Sequence, residues 1–128
     1  MEKEARIYVA SADKMIGAAI ARRLKARGYA NIVGADGVGP DLADQAAVAA
    51  FFAAEQPQYT FLAAGKSGGI MANQQFSADL IYNNLMTECN VIHCAHNYGV
   101  RKLLYLASSC VYPKHCPQPM HPDSLMTG

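Results

Sequence analysis

Four short apolar runs alternate with segments whose apolar residues recur every three or four positions, a pattern that predicts strands separated by helices. Ile7-Tyr8-Val9-Ala10 reads as a first strand. Met15, Ile16, Ala19, Ile20 and Leu24 then follow at helical spacing, with a stop at Gly28. Asn31 to Ala35 is a second strand. Val48, Phe51, Phe52 and the alanines around them make a second helix, which Pro57 ends from just beyond. Tyr59 to Ala63 is a third strand, followed by a glycine-rich connector. A long helix is expected from about Ser77 to Tyr98, and a fourth strand over Lys102 to Ala107. The remainder carries Pro113, Pro117, Pro119 and Pro122 and reads as irregular.

Unbroken apolar strands alternating with helices indicate an α/β fold with a doubly wound parallel sheet covered on both faces, Rossmann-like. Right-handed crossovers with a reversal after the third strand predict the strand order 3-2-1-4. No repeat or linker interrupts the pattern, so a single domain is expected over residues 1–128.

Composition narrows this picture. The 128 residues, 52% of them hydrophobic, can bury one core. A net charge of +1 offers no field for a nucleic acid or an anionic membrane, and neither is expected as a partner. Arg22, Arg23, Lys25 and Arg27 share one helix and read as a solvated face, with phosphate binding the alternative. No apolar run approaches the roughly 20 residues of a spanning helix, and the charged Met1-Glu2-Lys3-Glu4 start does not read as a signal peptide. A cytoplasmic protein is expected, with Cys89, Cys94, Cys110 and Cys116 as reduced thiols.

The chemistry concentrates at the fourth strand. Leu103-Leu104-Tyr105-Leu106-Ala107-Ser108-Ser109-Cys110-Val111-Tyr112-Pro113-Lys114 ends in two hydroxyls and a thiol, at the strand end where open α/β sheets hold ligands. This run closely resembles the catalytic-serine strand of the GDP-L-fucose synthase family of extended short-chain dehydrogenases/reductases. So do Leu62-Ala63-Ala64-Gly65-Lys66-Ser67-Gly68-Gly69-Ile70-Met71-Ala72-Asn73, Ala78 to Met86, and Asn90-Val91-Ile92-His93-Cys94-Ala95-His96. The resemblance covers almost the whole chain and corresponds to the N-terminal portion of the family's fold. It implies an NADP-dependent enzyme that epimerises and reduces a GDP-4-keto-6-deoxymannose, hence a GDP-sugar substrate. It implies Ser108 as the catalytic serine that polarises the substrate carbonyl, and Cys110 as the acid/base of the epimerisation. Lys66, Gly68, Gly69 and Ser109 then lie on the substrate side, and Asn84 supports the site. Read without the resemblance, the glycine pair is a flexible connector and Asn84 a solvated or locally bonded helix residue.

The nucleotide loop departs from the family. In Ala10-Ser11-Ala12-Asp13-Lys14-Met15-Ile16-Gly17 the resemblance expects glycines at the places of Ser11, Lys14 and Gly17, and only Gly17 remains. Those glycines serve a tight turn, close backbone approach to pyrophosphate, and helix–strand packing. Ser11 is expected to be strained if its backbone is left-handed. Lys14 puts a long side chain where phosphate should lie, although its ammonium can pair with phosphate. Alternatively the loop has lost its ligand and kept only the packing glycine. Ser11, Lys14, Met15, Ile16, Gly17, Asp41, Leu42, Ala63 and Ala64 are the candidate cofactor residues, together with Asp36. The last suits a ribose 2′-hydroxyl by its distance from Gly17 and is equally a turn former. With acids at Asp13 and Asp36 and no arginine nearby, weak binding without a preference for NADP(H) is expected, and NAD(H) remains open.

The reaction class also needs a tyrosine and, four residues on, a lysine on one helical face, which the resemblance places beyond Gly128. Tyr98 and Lys102 have the spacing but straddle Gly99, so the chain alone is expected to be inactive. The competing reading is a non-catalytic Rossmann remnant that binds a nucleotide weakly or binds a partner protein. Cys89, His93, Cys94 and His96, or His115 with Cys116, give no tetrahedral ligand spacing, so no metal is expected. Ile81, Leu85, Ile92 and Met86 are expected to stay partly uncovered and to drive self-association.

Overall fold

The computed structural model describes all residues 1–128. Strands β1 (Ile7–Ala10), β2 (Ile32–Val33), β3 (Tyr59–Leu62) and β4 (Lys102–Tyr105) form one parallel sheet. Helices α1 (Met15–Ala26), α2 (Gln45–Glu55), α3 (Ile70–Gln75) and α4 (Ser77–Asn97) connect them. The Rossmann-like class is as the sequence indicates.

The strand order is β2-β1-β3-β4, not the expected 3-2-1-4. The reversal comes after the second strand, and the core shows why. Ile7 and Val9 of β1 pack with Ala21 and Leu24 of α1 on one face of the sheet. Tyr8 and Ala10 pack with Val48 and Phe52 of α2 and Val91, Cys94 and Ala95 of α4 on the other. A right-handed crossover from β2 with its helix on the face opposite α1 must travel back across β1, so β3 lands on β1's far side. An order of 3-2-1 would have required α1 and α2 on the same face.

Local chemistry sets the boundaries. Asp44 caps α2, its carboxylate accepting the Ala46 and Ala47 N–H groups at 2.9 and 3.1 Å. The α2 chain stops at Gln56, which is left-handed (φ 43°), just before the buried Pro57. β2 is shorter than the apolar run predicts because Gly34 turns to φ 76°, laid against the Tyr8 ring and the Val9 carbonyl. Helix α1 buries Gly17, Ala21 and Leu24 rather than the predicted Met15, Ile16 and Ala19, which face outward. The connector read as a glycine-rich loop contains the short α3.

Candidate functional site along the strand ends

A groove runs along the carboxyl ends of the strands as three cavities that share walls. The first, about 220 Å³, lies between the loop after β1 and the loop after β2. Its lining includes Tyr8, Ser11, Asp13, Gly37, Val38 and Leu42. The second, about 440 Å³, sits over the start of α1 and takes Ser11, Lys14, Met15, Ile16, Leu42, Ala63, Ala64 and Lys66 into its walls. The third, about 330 Å³, extends from Ile16, Ala63, Ala64 and Lys66 to Asn84, Glu88, Tyr105 and Ser108. Most of the sequence-predicted cofactor residues therefore meet in one groove that ends at Ser108.

The loop after β1 bears out two mechanical expectations. Ser11 is left-handed, φ 58°, the conformation glycine adopts without penalty. Gly17 is required by contact: a Cβ there would lie 2.2 Å from the Ser11 carbonyl oxygen. Lys14 is the residue before the first turn of α1, and its N–H donates to the Ser11 carbonyl at 3.0 Å. Its ammonium does not point away from the loop but pairs with the Asp13 carboxylate at 2.9 Å. That hydrogen bond holds the Asp13 carboxyl below the usual carboxylate range. The first N–H groups of α1 have no intrahelical acceptor, and they open on the second cavity.

Asp36 and Asp41 are in turns. The Asp36 carboxylate accepts the Val38 N–H at 3.2 Å and that of Asp41 the Ala43 N–H at 3.0 Å. Asp36 lines a separate depression on the β2 side, and Asp41 lines none of the three cavities. Leu42 is held in place by Asn90, a buried residue of α4 whose amide donates to the Leu42 carbonyl at 3.0 Å. Sequence reasoning gave Asn90 no role. The available signal was its position beside Val91 and one turn before Cys94, which put a polar side chain on the helix's apolar face.

On the substrate side, Asn84 grips the peptide of Lys66 at both ends. Its Oδ1 accepts the Lys66 N–H at 2.7 Å, and its Nδ2 donates to the Lys66 carbonyl at 2.9 Å. The Lys66 ammonium donates to Asn83 at 2.8 Å. Gly68 and Gly69 stand at the start of α3, their carbonyls accepting the Asn73 amide at 2.9 and 3.1 Å, outside the groove. A Cβ at Gly68 would approach that of Ala72 to 2.6 Å.

Ser108 precedes a 3-10 turn over Ser109–Val111, and its Oγ accepts the Cys110 N–H at 3.1 Å. The hydroxyl proton is thereby left to donate elsewhere. Cys110 and Ser109 are exposed beside it and do not line the cavity. Tyr105 donates to Glu88 at 2.5 Å across the cavity wall, and that bond, ahead of burial, pushes the phenol up to about 12. Neither residue was picked out in the sequence.

Tyr98 caps the end of α4 and Lys102 opens β4, so this spacing does not put the two on one helical face. His93 pairs with Asn97 at 2.8 Å, and no three His, Cys, Asp or Glu side chains converge as a metal site. No helix is long and apolar enough to cross a membrane.

Comparison with known proteins places this groove in context. The model of the NAD dependent epimerase/dehydratase family matches residues 7–127. The chain is 48% identical over 128 residues to the putative GDP-L-fucose synthase 2 of Arabidopsis thaliana, and 46% identical over 123 residues to the GDP-L-fucose synthase of Escherichia coli. It covers all and 96% of itself in those matches but 39% and 38% of the relatives, so it spans well under half their length. Among solved structures, a GDP-D-glycero-L-gluco-heptose synthase of Campylobacter jejuni, determined in the presence of NADPH, superimposes with a TM-score of 0.89 at 36% identity. That match covers the whole of this chain and 37% of the other.

Proposed function

Because the chain belongs to the NAD dependent epimerase/dehydratase family, we propose that it forms the nucleotide-binding portion of an epimerase/reductase that makes GDP-L-fucose from GDP-4-keto-6-deoxymannose. The observation that carries this reading is the continuity of the groove: the first cavity shares Ser11 and Leu42 with the one over the start of α1, and that one shares Ile16, Ala63, Ala64 and Lys66 with the cavity that ends at Ser108. A bound nicotinamide dinucleotide would supply hydride. Ser11, Met15, Ile16 and Leu42 would line its diphosphate and adenosine portions, and Ala63 and Ala64 the run towards Ser108. The cavity over the start of α1, walled by Ser11, Lys14, Met15 and Ile16 where the first N–H groups of the helix lack intrahelical acceptors, fits the diphosphate of that group. The left-handed Ser11 and the Lys14 side chain oppose close backbone approach, so binding is weak, and a groove lined by Asp13 and by no arginine gives no preference for NADP(H).

The Ser108 hydroxyl, freed by accepting from the Cys110 N–H, would donate to the substrate carbonyl oxygen as negative charge develops there. The Cys110 thiol, on the same turn, would exchange a proton at the neighbouring carbon. Lys66, fixed through its peptide by Asn84, would stand on the substrate side.

Two assays test this. The 128 residues alone should give no turnover, since Tyr98 and Lys102 do not form the tyrosine–lysine helix; turnover abolished by Ser108→Ala would contradict that. A chimera carrying residues 1–128 in place of the matching part of the Escherichia coli relative should be active with NADH or NADPH and lose activity in Ser108→Ala. A folded chimera that stays inactive with both, even after Ser11→Gly and Lys14→Gly, would overturn the proposal.

A further inference from the structure

The two acidic residues near the adenosine end of the groove are not equivalent. Asp13 lines the first cavity, opposite Gly37 and Val38, and a Cβ at Gly37 would lie only 3.1 Å from the Cβ of Asp13. Asp36, by contrast, has its carboxylate turned to the Val38 N–H and lines the depression on the other side of the same loop. The loop after β2 thus closes over Asp13 and carries Asp36 away.

The neighbouring Lys14 belongs to the second cavity and not to the first. Their 2.9 Å ion pair therefore straddles two compartments, with the carboxylate on the adenosine side and the ammonium over the start of α1. In a doubly wound sheet the diphosphate lies at the start of the first helix and the adenosine ribose beside the loop after the second strand. Those places correspond here to the second and first cavities.

We infer that Asp13 sets nucleotide choice: it accepts from the free 2′-hydroxyl of an ADP-ribosyl group and excludes a 2′-phosphate, while Lys14 pairs with the diphosphate. The ligand class is an NAD(H)-type dinucleotide, whereas the similar heptose synthase was solved with NADPH. The inference rests on the proposed nucleotide-binding role and goes beyond it by naming the discriminating residue. A carboxylate accepts one hydroxyl proton well, and a doubly charged phosphate offers it only repulsion. Asp13 is an exposed carboxylate, ionised at neutral pH, and the bond from Lys14 holds its carboxyl lower still. Lys14 lines the second cavity, so a diphosphate bound there would draw its ammonium from Asp13 and leave the carboxylate to the ribose side.

Calorimetric titration of the 128-residue chain with NADH, NADPH, ADP-ribose and 2′-phospho-ADP-ribose tests this without relying on turnover. The phosphorylated member of each pair should bind about tenfold more weakly. Asp13→Asn should close most of that gap and Asp36→Asn should leave it, with circular dichroism checking that both variants are folded. Equal or tighter binding of the phosphorylated ligands overturns the inference, as does a gap that follows Asp36 instead. Failure of all four ligands to bind overturns it as well. A chimera active with either cofactor would still uphold the functional reading, so the two can fail separately.

Discussion

Replacing Gly17 with alanine sets two opposed effects against each other. Gly17 lies in the first turn of α1, and alanine in a helix is favoured over glycine by about 0.8–1 kcal/mol. Against that, the added Cβ would lie 2.2 Å from the Ser11 carbonyl oxygen and 2.7 Å from its carbon. Both are backbone atoms, so no side chain can rotate away, and the Ser11 peptide or α1 must retreat by close to an ångström. Ser11 is already left-handed and is tied by its carbonyl to the Lys14 N–H. Overpacking of this kind costs about 1–3 kcal/mol, towards the upper end where only backbone can yield. Losing the turn's hydrogen bond adds about 0.5–1.5 kcal/mol. The clash wins, for a net loss of about 1.5–3.5 kcal/mol. Urea unfolding followed by circular dichroism should show the midpoint falling, with Ala19→Gly, on the exposed face of the same helix, reporting the propensity effect by itself. A Gly17→Ala midpoint equal to or above that of the parent would refute the reasoning.

Two further outcomes follow from the fold. Glu88→Gln should return the Tyr105 phenol from about 12 towards the ordinary value of about 10, read by NMR of the labelled ring. Since the folded value is the raised one, the bond's contribution to stability is full below about pH 10 and is lost as pH climbs through 12; an unchanged titration in the variant would mean that Glu88 is not the cause. On α4, Ile81, Leu85 and Ile92 are 61, 52 and 45% exposed, and Leu104 of β4 is 45% exposed. Each such side chain withdrawn from water contributes about 1.5–3 kcal/mol. The chain should therefore self-associate at micromolar concentration in analytical ultracentrifugation and become monomeric in Ile81→Glu/Leu85→Glu, and a compact monomeric parent would reject this.

The strands and the two longest helices were legible because their periods are local properties of the chain. Strand order was not, because it depends on which sheet face each helix covers, and Val48 and Phe52 do not announce their face until Val91 and Cys94 meet them. The outward turn of Met15 and Ile16 was hidden for a related reason. Helical spacing alone marks them as core, while the close approach of Gly17 to Ser11 rotates the small residues Gly17 and Ala21 inward. In the groove, the strain at Ser11 and the packing need at Gly17 could be anticipated from the motif. The separation of Asp13 from Asp36 could not, since it is set by the left-handed glycines at 34 and 37. The pairing of Glu88 with Tyr105 joins residues far apart in sequence and leaves no periodic trace.

The clasps at Asn84, Glu88 and Asn90 all lie within two turns of α4, and they hold the Lys66 peptide, the Tyr105 phenol and the Leu42 carbonyl respectively. One helix thus fastens the groove at its substrate end, its wall and its adenosine side. These fastenings cannot loosen one by one when this stretch of α4 unravels; they are lost in a single opening event, and the whole binding surface dissolves with them. The Lys66 amide hydrogen, held by Asn84, would then exchange no more slowly than this stretch of α4 opens, which ties the loop after β3 to the stability of a helix far along the chain.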